Sequence, residues 1–146
     1  MKRILLLSLL IISCNKITAP NDVHINREYY DSGELKRIIT HNNENMTAEM
    51  TVYYKDGALM GKGSMINNKI NGKAFGYHQN GNIAMVCNFV EDSFHGYAAL
   101  YYDSKIIKYE GSYDMGIIDG EWTAYMPDGD ILREYMYVNG QLITEK

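Results

Sequence analysis

Two cysteines in 146 residues are too few for a disulfide framework, and two prolines leave nearly every backbone N–H free to pair. No apolar run approaches the ~20 residues of a membrane-spanning helix. The longest, Ile4 to Ile12, has nine. An excess of basic residues is also missing: 14 Lys and Arg stand against 18 acids. That sign argues against nucleic acid as a partner, because phosphate binding depends on neutralisation by Lys and Arg. Phenylalanine and tryptophan are scarce, three and one, whereas tyrosine and glycine each occur thirteen times. With 46% apolar and 22% charged residues the chain is globular in composition, and its tyrosines favour strands over helices.

The first residues have a separate character. Lys2 and Arg3 precede the nine-residue apolar run, an arrangement of n-region and h-region expected of a secretory signal. The run closes on Ile11-Ile12-Ser13-Cys14, which resembles the lipobox of bacterial lipoproteins. The resemblance implies cleavage after Ser13, leaving residues 1–13 as signal peptide, and lipidation of Cys14. It places the chain on the bacterial cell envelope, with Asn15 compatible with the outer membrane in a Gram-negative cell. Removal of Lys2 and Arg3 would leave 12 bases against 18 acids, a net charge of −6. Contact with the membrane would then run through acyl chains, at about 0.8 kcal/mol per buried CH₂. Residues 14–27 are expected to form a flexible tether. Cys87, the remaining cysteine, is read as a small buried hydrophobe.

From there the chain repeats itself every 24 residues. Tyr29, Tyr53, Tyr77, Tyr101 and Tyr125 keep that spacing, as do Leu35, Leu59, Ile83, Ile107 and Ile131. A glycine column runs Gly33, Gly57, Gly81 and Gly129, broken by Lys105. Another runs Gly72, Gly96 and Gly120, with Ala48 one period earlier. Such a period identifies a stacked repeat architecture. Each glycine of the first column follows Ser32, Asp56, Asn80 or Asp128, giving dipeptides that favour hairpin turns with φ > 0. At Lys105 the expectation is either a different loop or a lysine strained by roughly 1 kcal/mol.

Period-2 counting after the turn puts Ile83, Met85, Cys87 and Phe89 on one face, followed one repeat later by Ile107, Tyr109, Gly111 and Tyr113. Gly63, Cys87 and Gly111 share a column of small residues, replaced by Ile39 and Tyr135 in the outermost copies, which are expected to cap the stack. Met50, Ala74, Ala98 and Trp122 form a column in the strand before each turn. The fold expected is all-β: five antiparallel hairpin repeats, ten strands, beginning near 28, 48, 72, 96 and 120 and ending at 142, with residues 143–146 as a tail. The five tyrosines are expected to stack as an aromatic ladder.

These columns resemble the variant MORN repeat of bacteria, most fully at Gly120-Glu121-Trp122-Thr123-Ala124-Tyr125-Met126-Pro127-Asp128-Gly129. The resemblance implies an array of β-hairpins that acts in protein binding or close to a membrane. Some bacterial members are labelled YwqK-type antitoxins, which makes toxin neutralisation the alternative, with a toxin as the partner. Lys105, Ala48 and the irregular first copy depart from the pattern.

Chemistry has no evident seat. His24, His41, His78 and His95 lack the i, i+4 spacing of a helical metal site, and the loop acids Glu91, Asp92, Asp119, Glu121, Asp128 and Asp130 lack the alternating order of a calcium loop. No serine sits on an elbow of the G-x-S-x-G type, and Gly61-Lys62-Gly63-Ser64 lies in a strand column rather than before a helix. The reading is therefore not an enzyme, with no cofactor and no metal. The candidate protein-binding surface is the column beside the tyrosines, Tyr30, Tyr54, His78, Tyr102 and Met126, since Tyr and Met are enriched at interfaces. The alternative is that this column packs against the next hairpin. Sheet edges are a second candidate surface.

Overall fold

A computed structural model describes residues 23–42 and 45–146. Cys14, the signal segment and most of the tether lie outside the described residues. Eleven strands follow one another: β1 (Val23–Tyr29), β2 (Leu35–Asn42), β3 (Thr47–Tyr53), β4 (Leu59–Ile66), β5 (Lys69–Tyr77), β6 (Ile83–Val90), β7 (Ser93–Tyr101), β8 (Ile107–Asp114), β9 (Ile117–Tyr125), β10 (Ile131–Val138) and β11 (Gln141–Glu145). They pair in sequence order as one antiparallel sheet, as the all-β hairpin reading requires. The strand count is eleven rather than ten. Residues 141–145, expected to end the last repeat and form a tail, add an extra strand on β10. At the other end β1 begins at Val23, inside the segment assigned to the tether.

Two kinds of turn alternate along the meander. Within each repeat the turn has three residues and is closed twice by the backbone: in the second repeat Gly57 N–H donates to the Tyr54 carbonyl at 3.0 Å and Tyr54 N–H to the Ala58 carbonyl at 2.8 Å. The same pair of bonds recurs at Tyr30, His78, Tyr102 and Met126. This is the type I turn plus a left-handed residue that suits right-twisted strands, and the left-handed place falls on Gly57 at φ 85°. Lys105 occupies that place at φ 73°, so the strained-lysine expectation holds and the loop type is unchanged. Asp56, Asn80 and Asp128 complete their turns by accepting the N–H two residues on. After β4, β6, β8 and β10 the turns have two residues, Asn67-Asn68, Glu91-Asp92, Met115-Gly116 and Asn139-Gly140, all with positive φ. These have the type I′ form.

Strand alternation divides the sheet into two faces. On the first, Cys87, Ala98 and Trp122 are buried, and Ala74, Met85, Phe89, Phe94, Tyr113, Ile118, Tyr135 and Tyr137 pack around them. The expected small-residue column is the floor of this core. Met50, Gly63, Ala74, Cys87, Ala98 and Gly111 are cross-strand neighbours in one continuous row. The Trp122 ring lies over Gly111, where a Cβ would come within 2.3 Å of it, and its Nε1–H donates to the Ser112 carbonyl at 2.9 Å. Cys87 is fully buried and its thiol pKa is pushed up by that burial, consistent with packing.

Ring contacts among the described residues run through Phe89, Phe94, Tyr113 and Trp122. The expected ring ladder of Tyr29, Tyr53, Tyr77, Tyr101 and Tyr125 is replaced by a different arrangement. Residues in one column are two strands apart, about 10 Å, which exceeds the ~7 Å limit of aromatic pairing.

Candidate protein-contact face

The column proposed from sequence as a binding surface has a structural task. Tyr30 O–H donates to the Tyr53 carbonyl at 2.8 Å, Tyr54 O–H to the Tyr77 carbonyl at 2.8 Å, and Tyr102 O–H to the Tyr125 carbonyl at 2.9 Å. His78 Nε2 takes the same place against the Tyr101 carbonyl at 2.9 Å, and its Nδ1 lies 2.9 Å from Asp103. Each side chain thus reaches one repeat forward and fastens the end of a strand there. All are half-buried. Met126, the fifth member, carries no such donor. These bonds give the column the packing role of the alternative reading. Such bonds contribute about 0.5–1.5 kcal/mol each.

A second ladder of the same period closes the other edge. Asp92 N–H donates to the Ile70 carbonyl, Gly116 N–H to Phe94 and Gly140 N–H to Ile118, at 2.7–3.0 Å. Three of the loop acids serve these corners. Asp92 accepts the Ile70 N–H at 2.7 Å, Asp119 the Asn139 N–H at 2.9 Å, and Glu91 pairs with Lys69 at 3.1 Å. Among the described residues no group of three or more His, Cys, Asp or Glu is placed to hold an ion. His24 and His41 meet across β1 and β2 with ring centroids 6.1 Å apart, a contact the sequence spacing concealed.

The second face of the sheet has a different composition. Its central row crosses ten strands without a break: Arg27, Ile38, Thr51, Lys62, Phe75, Val86, Ala99, Glu110, Thr123 and Glu134. Nearest the turns, Tyr125 lies on this face, since its O–H donates to Glu110 Oε1 at 2.5 Å. Strand alternation places Tyr53, Tyr77 and Tyr101 with it. Tyr97 O–H donates to the other oxygen of Glu110 at 2.6 Å. The two bonds, that from Tyr125 foremost, lower the Glu110 pKa below the ordinary carboxylate value of 4.5. In return Tyr97, by burial and then by Glu110, and Tyr125, chiefly by Glu110, have raised pKa values. Such phenols stay protonated and hold their donor role. The cluster is a clamp of two phenol donors on one carboxylate.

Phe75 and Val86 are half-buried and Tyr97 is 43% exposed. Sequence reasoning missed this face because Tyr97 and Glu110 are 13 residues apart, and only the β7–β8 register unites them.

Comparison with known proteins gives one finding. No curated protein matches the chain. Two segments, residues 25–43 and 70–91, match the family model described as MORN repeat variant. The first covers the hairpin of β1 and β2, the second most of β5, all of β6 and their connecting turn. With the 24-residue hairpin period between and beyond these segments, the matches support the MORN repeat family for this chain.

Proposed function

We propose that the chain is a membrane-anchored MORN-repeat lipoprotein that acts as a non-catalytic protein-binding module at the bacterial cell envelope. MORN repeats generally mediate protein or membrane binding. The observation that carries the reading is the second sheet face. It presents Phe75, Val86, Tyr97 and the tyrosine column in one layer, with no element of the described chain packed over them. Aromatic residues at that density anchor protein contacts. Lipidation of Cys14 would fix the place, and the segment up to Val23 would set the distance of the sheet from the membrane.

The experiment is a chemical crosslinking pull-down from native envelopes, comparing the wild-type chain with Cys14→Ser and identifying bound proteins by mass spectrometry. A specific protein adduct that is lost in Cys14→Ser is expected. A toxin-like protein retained without the lipid would replace the anchored role with neutralisation. No protein adduct in either sample would refute both.

A further inference from the structure

Charge is not spread evenly over the second face. On the half formed by β1 to β5, Arg27, Lys62 and Lys73 project from it. On the half formed by β7 to β10 the side chains are Glu110, Glu121 and Glu134, with Glu49 and Lys108 the exceptions in their halves. Hollows mark both halves. One of about 220 Å³ is lined by Lys62, Lys73 and Phe75 together with Glu49, and one of about 90 Å³ by Glu121, Glu134 and Met136 together with Lys146. Between the charged halves the row is apolar: Phe75 and Val86 are half-buried on β5 and β6, and Ala99 on β7 is fully buried. A surface that is basic, then apolar, then acidic is complementary to itself when one copy is reversed on the other.

We infer that this face binds a second copy of the chain, face to face, about a two-fold axis that runs parallel to the strands over β6. The inference rests on the reading of this face as a protein-contact surface and names its partner. β6 is the middle strand of the eleven, so the rotation lays β4 over β8 of the second copy and β5 over β7. Because Lys62, Phe75, Val86, Ala99 and Glu110 share one registered row, the rotation sets Lys62 against Glu110 and Val86 against itself, and brings Phe75 over β7 at the level of the fully buried Ala99. In the neighbouring row Lys73 comes over Tyr97, where an ammonium meets an aromatic face.

Each contact occurs twice, as an isologous interface demands. The clamp from Tyr97 and Tyr125 holds the Glu110 carboxylate in place for an incoming ammonium without neutralising it. Overlap of the central seven strands alone covers about 29 Å by 24 Å, or ~700 Å² per copy, close to the ~800 Å² of a standard stable interface. Twist of the two sheets would turn the strand directions by about 30°.

The test uses the full chain in native envelopes and, after detergent extraction, in solution. Val86→Cys places a thiol on the axis, while Cys87 beside it points into the buried core of the opposite face. Under mild oxidation Val86→Cys is expected to give a disulfide-linked dimer well above the wild-type background. Leu100→Cys, on the first face, should remain at background. Lys62→Glu should weaken self-association at least tenfold by light scattering, and Lys62→Glu with Glu110→Lys should restore it, with thermal melting confirming that each variant folds.

Besides a Val86→Cys chain that forms no adduct at all, four results would overturn the inference. They are a wild-type chain monomeric at ~100 µM, crosslinking through Leu100→Cys instead of Val86→Cys, a folded double variant that stays dissociated, or adducts from Val86→Cys to a different protein alone. The last would leave the contact face standing with another occupant, whereas the absence of any adduct from Val86→Cys would remove both.

Discussion

Gly111→Ala adds one methyl group to the most crowded point of the sheet. The new Cβ would sit 2.3–2.4 Å from the Cδ2, Cε2 and Cγ atoms of Trp122, well inside van der Waals contact. Two responses are open to the protein. If the indole stays, the strands must part by more than an ångström, and overpacking of that kind costs about 1–3 kcal/mol. If it leaves, the Nε1–H bond to Ser112 goes with it, worth ~1 kcal/mol, together with much of the packing of a side chain now only 7% exposed. Full loss of a buried aromatic costs ~3–5 kcal/mol, so the cheaper response sets the result.

Reduced freedom of the unfolded chain returns ~0.4–1 kcal/mol to the alanine variant. The net expectation is destabilisation by ~2 kcal/mol, a fall in Tm of roughly 6–10 °C. Gly63→Ala is the control, because its Cβ would come no closer than 3.2 Å, to the Ala74 Cβ, with the Ala74 Cα at 3.8 Å and Ile70 Cγ2 at 3.9 Å, and it should cost under ~1 kcal/mol. Trp122 is the sole tryptophan, so urea unfolding followed by fluorescence reads both its environment and the stability. A Gly111→Ala variant within ~0.5 kcal/mol of wild type, with unshifted emission, would refute the packing described here.

The other expectations are simpler. Tyr54→Phe removes the hydroxyl that fastens β5 and should lower stability by ~1 kcal/mol in the same unfolding assay, while the exposed Gln141→Ala change leaves it within ~0.5 kcal/mol. Lys105→Gly relieves a left-handed lysine at φ 73° and should stabilise by ~0.5–1 kcal/mol in thermal melts. The folded-state pKa of Glu110 is depressed below 4.5, so its contribution is present above that pH and is lost as pH falls through the folded value. Glu110→Gln should therefore flatten the fall in Tm between neutral and acid pH, and an unchanged acid limb would count against the clamp.

The repeat was legible because its strongest signals are local. A left-handed turn position selects glycine strongly enough to print a column, and the small-residue column was forced by large neighbours such as Trp122 over Gly111. The clamp column was visible as Tyr30, Tyr54, His78 and Tyr102 but its purpose was hidden, since the acceptors are backbone carbonyls and leave no side-chain signature. β11 went unread for want of a tyrosine and turn glycine after it, although Asn139-Gly140 is the dipeptide that a two-residue type I′ hairpin favours. The charge order of the second face needed the register itself. Lys62 and Glu110 are 48 residues apart, two periods of the repeat, so they share a column; that Phe75, Val86 and Ala99 lie between them in one row shows only in the strand pairing.

The account turns on which face of the sheet meets another protein. The most direct measurement places a photo-reactive residue at Phe75 or Tyr77 on the second face and at Leu100 on the first, in the full chain in native envelopes, and compares the protein adducts after illumination. The account predicts adducts from Phe75 and Tyr77 and none above background from Leu100. Adducts from Leu100 alone, or from none of the three, would contradict it.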